Sequence, residues 1–330
     1  MKIATITVNP AIDQTVSVDH FQTGTVNRSR AMRFDAGGKG VNVASFLADY
    51  GLEVAVTGFL GEENADVFER HFQRKGIEDR FIRVPGETRI NIKIMDEASQ
   101  VTTDLNTPGQ IPGEYAVSRF YEQVEALSEA CECFVLSGNL QAGLPSTFYA
   151  ELIRFLRSKN RRVILDTSGE ALAEAVKAGA NIIKPNIHEL SALVNTRLAE
   201  ISDVYSSAVS LINTETTMVA VSMGGEGALF VEKEKAFIVR PPAVAVKSTV
   251  GAGDALVAGL VAGLSKRMPL KDCARLATAF SLSAITRLGR DLPNAGVIDE
   301  FQKQVEISSF VIKEIAGAAR PAGVNFSDKS

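Results

Sequence analysis

A chain of 330 residues is long enough for one large α/β domain, or for one domain plus a smaller appendage. Its 45% hydrophobic and 22% charged residues are ordinary for a globular protein, and a net charge of −4 with both signs interspersed excludes a basic face for nucleic acid or anionic membrane. Cys131, Cys133 and Cys273 lack zinc-ligand spacing and read as small core residues in a reducing compartment, and the longest apolar run, ALVAGLVAGL at 255–264, is too short to span a bilayer, so a cytoplasmic protein is expected.

The N-terminal MKIATITVNPAID alternates apolar residues with Thr, which suits a strand rather than a signal peptide. DQTVSVD (13–19) and SRAMRFDAGG (29–38) are also strand-like. GVNVASFLADYG is a helix closed by Gly51, and EVAVTGFLG is the next strand. The stretch 80–105 reads as further antiparallel strands with turns at Pro85–Gly86 and Asp96–Ser99. Together 13–36 and 80–105 are expected to form one small β-sheet, a lid or a dimer surface, on a body made of 1–12, 37–79 and 106–310. Beyond residue 110, CFVLSG, RVILDTSG, NIIKPN and TMVAVSMGG alternate with helical patterns, which predicts a parallel sheet covered on both faces. Residues 311–330 show no amphipathic period and are expected to be a loose tail.

Four clusters carry chemistry. In GGKGVN, Gly37, Gly38 and Gly40 precede a helix, where bare N–H groups favour anionic or oxygen-rich ligands. Lys39 and the first-turn amide of Asn42 sit in the same stretch; Asp13 adds a carboxylate that could accept from paired hydroxyls or be a solvated turn residue. In KPNIHE, from Lys184 to Glu189, Asn186 and Glu189 at i, i+3 share a helix face. That pair suits a hydrated magnesium ion, and equally suits an N-cap with its capping-box partner. His188 between them reads as an exposed helix residue. SMGGEGA (Ser222, Gly224, Gly225, Glu226, Gly227) ends a strand and is compatible with a phosphate loop, a hairpin turn, or both.

The fourth, STVGAGD, places Gly251, Ala252 and Gly253 at a helix start as a nest for an anion, with Asp254 in the first turn. A carboxylate there need not meet the anion: it can take the proton of a hydroxyl that attacks it. Phosphoryl transfer from ATP to an alcohol requires that pairing of donor cage and base.

In this order GGKGVN, SGNLQAG, KPN..E, SMGGEGA and STVGAGD resemble the ribokinase-like sugar kinases, in their phosphofructokinase B branch, over residues 1 to about 305. The resemblance implies a three-layer α/β/α sandwich with a mostly parallel central sheet and a small β-lid that joins two copies into a homodimer. It implies Asp254 as the base and 251–253 as the anion hole. Asn186 and Glu189 would organise Mg–ATP, magnesium being held through water, and Lys184 with Ser222 to Gly227 would hold the nucleotide. TVNPAID, GGKGVN and GETRINIKI are similar to members acting on fructose 1-phosphate. A phosphate on the sugar then implies a cationic pocket of Lys39, Arg89 and Lys93, with Arg28 a further candidate from the lid. Alternation places Arg89, Asn91 and Lys93 on one strand face. The family's frequent SGSLPxG is here Ser137-Gly138-Asn139-Leu140-Gln141-Ala142-Gly143, so Ser137 is kept while sugar preference stays open. Kinases of tagatose 6-phosphate or fructose 6-phosphate remain alternatives, as does a non-catalytic sugar-phosphate sensor on the same fold.

Overall fold

The computed structural model describes residues 1–310 apart from 288 and 290; the expected tail at 311–330 lies outside the described residues. An eleven-stranded sheet forms the body. Its parallel part runs, in spatial order, Met218–Ser222, Ile182–Ile183, Arg162–Asp166, Cys133–Ser137, Ile3–Thr7, Val54–Gly61 and Glu78–Asp79. Ala228–Glu232, Ala236–Arg240 and Glu306–Ser309 extend one edge in antiparallel fashion.

Alternation along the central strands explains the layers. Ile3, Val56, Val135 and Ile164 point into one core with helices Lys39–Asp49, Asp66–Lys75, Ala252–Ser265, Leu270–Ile285 and Ala295–Gln304. Ala4, Ile6, Phe134, Leu136 and Leu165 point into the other, against Glu114–Ala130, Phe148–Ser158, Gly169–Lys177, Ile187–Val194 and Ile201–Ser210. Both faces are apolar because both are covered, as parallel sheets require. The α/β/α sandwich is therefore present. The three cysteines are buried and unbridged, with burial pushing the Cys131 and Cys273 thiols up to about 11.

The small sheet is four-stranded, in the order Ser29–Gly37, Ala11–Val18, Ile90–Asp96, Val101–Leu105. Two details differ from the sequence reading. The inner pair, Ala11–Val18 with Ile90–Asp96, is parallel rather than antiparallel. Residues 82–84, grouped with the lid by sequence, pair instead with Phe59–Gly61 of the body. Pro85–Gly86 is therefore a crossing point between the two sheets and not a hairpin, whereas the turn after Asp96 is one. The carboxylate of Asp96 accepts from the N–H groups of His20, Phe21 and Ala98 and from the Ser99 hydroxyl, which holds it down to about 2.

Candidate active site

The chain leaves Ile3–Thr7 toward one side of the sheet through Val54–Gly61, and later returns to its other side with Cys133–Ser137. The order of strands reverses between Ile3–Thr7 and Cys133–Ser137, and at such a switch point the carboxyl ends leave a crevice for ligands. Around this crevice gather the turn into Gly38, the buried Ser137, Asp166, Lys184 and the start of the helix Ala252–Ser265. The Oγ of Ser137 has no partner among the described residues. Two glycines let helix Lys39–Asp49 press on the first strand. Gly38 has φ 112, and a Cβ on Gly40 would lie 2.1 Å from Thr7 Oγ1.

The helix that begins at Ala252 has Gly251 as its N-cap at φ 81 and no side-chain cap, and its Ala252 N–H turns back to Thr249 O at 3.3 Å. Asp254 in that turn is buried, and the Asn42 amide donates to its Oδ2 at 2.6 Å. Residues 212 positions apart thus meet at one carboxylate, a contact the sequence reading did not foresee. Beneath them lies Asp166, fully buried, whose Oδ1 accepts from Lys39 Nζ and Lys184 Nζ at 3.2 Å each. Burial works to raise the Asp166 pKa, but the two ammonium groups outweigh it and hold it below its usual value. For Lys39 burial works downward, and the carboxylates of Asp166, Asp254 and Glu189 hold it above the usual lysine value. A Cβ on Gly253 would stand 3.6 Å from Lys184 Nζ, so this ammonium lies directly under the glycine turn.

Asn186 and Glu189 form a full capping box: the Glu189 N–H donates to Asn186 Oδ1 and the Asn186 N–H to Glu189 Oε2, both at 2.8 Å. The cap engages Asn186 Oδ1 and one of the two Glu189 oxygens. Among the described residues no group of three or more His, Cys, Asp or Glu could hold a metal ion directly. A hydrated ion fits, since it needs only outer contacts from such oxygens and completes its shell with water. His188 is exposed as expected. The Ser222 N–H donates to Pro185 O, and Asn186 bridges Ser222, so KPN and SMGG are neighbours. Gly224–Glu226 is a single 3-10 turn joining antiparallel strands, and a Cβ on Gly227 would overlap Val239 O at 1.9 Å. Gly225 has open space around it. The loop is a hairpin turn with its donors at the sheet's carboxyl end.

On the lid, strand register places Asp13 beside Asn91, and the Asn91 amide donates to Asp13 Oδ1 at 3.1 Å. Arg89 donates to the carbonyls of Asn9, Pro10 and Thr107 and to Asn91 Oδ1, and burial lowers its pKa. Lys93 is paired with Asp104 at 2.7 Å, a partner the sequence reading did not foresee. Arg28 stands exposed in the loop between the first two lid strands.

A family model described as pfkB family carbohydrate kinase matches residues 6–295. The chain belongs to that family. It is 46% identical to a 1-phosphofructokinase of Rhodobacter capsulatus over 89% of this chain and 93% of the relative. It is 37% identical to the 1-phosphofructokinase of Escherichia coli K12, over 91% and 95%. A solved structure of phosphofructokinase-2 from Escherichia coli with substrates and products superposes with a TM-score of 0.85 at 29% identity, covering 92% of this chain and 99% of that one.

In this pfkB kinase, sequence reasoning missed Asp166 as a site residue. Its signal was weak but present: a carboxylate closing an otherwise apolar strand, RVILD, whose other residues past Arg162 are buried. A charge at that depth needs partners, and both proved to be lysines already singled out.

Proposed function

We propose that this protein transfers the γ-phosphoryl group of ATP to the 6-hydroxyl of fructose 1-phosphate, giving fructose 1,6-bisphosphate and ADP, in the cytoplasm. The observation that carries the reading is the Asn42–Asp254 contact of 2.6 Å at an uncapped helix start, over two lysines that share Asp166. The relatives named 1-phosphofructokinase support the choice of sugar phosphate.

Asp254 accepts the proton of the attacking hydroxyl. The hydroxyl oxygen forms a bond to the γ-phosphorus while the bond to the β,γ-bridging oxygen breaks, and that electron pair leaves with ADP. The Asn42 amide fixes the carboxylate's orientation, so that the base is aimed before substrate arrives. The N–H groups of the turn at Gly251, Ala252 and Gly253, together with the ammonium groups of Lys39 and Lys184, stabilise charge on the phosphoryl in flight. Magnesium, when bound, screens the phosphates, and Asn186 and Glu189 would hold it through water. Ser222, Gly224, Gly225, Glu226 and Gly227 border the nucleotide. Asp13, Gly38, Asn91 and Ser137 take the sugar, and Arg89 and Lys93 face its phosphate. Lys93 then exchanges Asp104 for the ligand. The lid joins two copies as a homodimer.

Steady-state rates with ATP and magnesium on fructose 1-phosphate, fructose 6-phosphate and tagatose 6-phosphate test the assignment. The highest kcat/KM is expected with fructose 1-phosphate; a preference for either of the others overturns it.

A further inference from the structure

A cavity of about 290 Å³ opens between the lid strand Ser29–Gly37 and the helix Asp66–Lys75, and none of its walls belongs to the crevice. Its size is at the lower edge of the range for small-molecule sites. Phe34 and Val67 give it an apolar wall. Arg70 and Arg74, spaced i, i+4, stand on one face of the helix with His71 beside them. The carboxylates nearby are engaged elsewhere. Asp35 lines the cavity but accepts from Arg33 at 2.7 Å, and Asp291, close enough to feel the Arg74 charge, is bonded to Lys75 at 2.5 Å. Asp66 meets Arg70 at 2.6 Å in an exposed pair, of the kind that contributes little and gives way easily.

His71 fixes the polarity of this cavity. The Ser45 hydroxyl donates its one proton to Val41 O at 2.8 Å, so it must accept from His71 Nε2, which stands 2.7 Å away and therefore carries a proton. Nδ1 is then an acceptor, and it takes a hydrogen bond from Arg74 Nη2 at 3.2 Å. A neutral imidazole thus holds the Arg74 guanidinium in place without cancelling its charge, as a carboxylate there would have done. Two guanidinium forks offer more donors than one carboxylate can accept, whereas the three terminal oxygens of a phosphate can use both. We propose that the cavity is a second binding site, taking a small organic phosphate monoester with its phosphate on Arg70 and Arg74 and its carbon body against Phe34 and Val67. An occupant would brace the lid strand against the body, one hydrogen-bonded step from the helix that carries Lys39 and Asn42. The assignment stands independently of the kinase reading above.

The chain has three histidines, His20, His71 and His188, so imidazole NMR signals report on the cavity directly once His71→Asn has assigned the His71 signal. Phenyl phosphate serves as the probe, added after the crevice is saturated with a non-hydrolysable ATP analogue and the sugar phosphate that the wild type turns over fastest. The His71 signal is expected to shift saturably. Inorganic phosphate is expected to bind the same site more weakly, because it has no apolar body to bury. Arg70→Met and Arg74→Met should each weaken phenyl phosphate by about tenfold, the loss expected of one charge-assisted hydrogen bond, at unchanged kcat. Arg80→Met, which removes an exposed arginine outside the cavity, should keep the wild-type affinity. A His71 signal that does not move at millimolar phenyl phosphate, as when the lid of a second copy fills the cavity, overturns the proposal. Equal weakening by Arg80→Met also overturns it, since the attraction would then be diffuse rather than local.

Discussion

At the scale of the residue, Asp254 is set apart from an ordinary helix-start aspartate by what holds it. Its carboxylate is buried, oriented by the Asn42 amide, and adjacent to a turn whose donors no side chain caps. Asp254→Asn should retain nucleotide and sugar-phosphate binding while kcat falls about 10²–10⁴-fold, the usual cost of losing a general base. Steady-state kinetics beside direct binding measurements check this; near wild-type turnover would reduce Asp254 to a helix-start residue. Asp254 and its glycines were legible in the sequence because their chemistry is local, four consecutive residues at a helix start. Asp166 was not, because its meaning depends on Lys39 and Lys184, which lie 127 and 18 positions away and meet it only through the order of the strands.

At the scale of the element, the helix Ile187–Val194 shows how a cap and a binding group can share atoms. The sequence permitted either reading of Asn186 and Glu189, and the capping box is what the structure holds. The two roles separate by substitution. Asn186→Ala should lower stability by about 0.5–2 kcal/mol through loss of the cap, seen as a lower midpoint in denaturant. Glu189→Gln can still accept from the Asn186 N–H, so stability should change little while the magnesium concentration needed for half-maximal rate rises. If Glu189→Gln left the magnesium dependence untouched, Glu189 would be a capping residue alone. The hairpin turn after Asp96 gives a pH prediction. Its folded pKa of about 2 lies below the ordinary 3.8, so its stabilisation is present above about pH 4 and is lost as pH falls toward 2. Wild-type melting temperature should therefore fall more steeply across that window than that of Asp96→Asn; equal slopes would remove this turn from the acid response. The strand at 82–84 was misplaced by sequence for a physical reason. Its neighbours carry the same alternation, and only pairing with Phe59–Gly61 tells which sheet it joins.

At the scale of the whole molecule, strand register divides the lid into two unlike faces. Residues directly opposite one another share a face, so Phe34, Gln14, Ile92 and Leu105 line up across the four strands, as do Met32, Val16, Ile94 and Thr103. The other face carries Asp13, Asp35, Asn91, Lys93 and Asp104. The polar face holds the candidate sugar residues. The apolar face runs from Ile12 and Ala36, which belong to the body's core, outward to Met32, Phe34 and Leu105, which are 57%, 47% and 51% exposed. A four-stranded sheet with one uncovered apolar face has too little packing of its own, and such a patch is what a second copy would cover. The sequence showed the alternation, but the parallel pairing of the inner strands was needed to add the four strands into one face. Phe34→Asp places a charge in that patch, on the edge strand Ser29–Gly37 and beside Val67 and His71 of the helix Asp66–Lys75. Sedimentation velocity at micromolar concentration should show a dimer for the wild type and a monomer for Phe34→Asp, with the melting of the α/β body retained in the variant. A wild-type monomer, or a variant dimer of undiminished affinity, would mean that the apolar face is covered some other way.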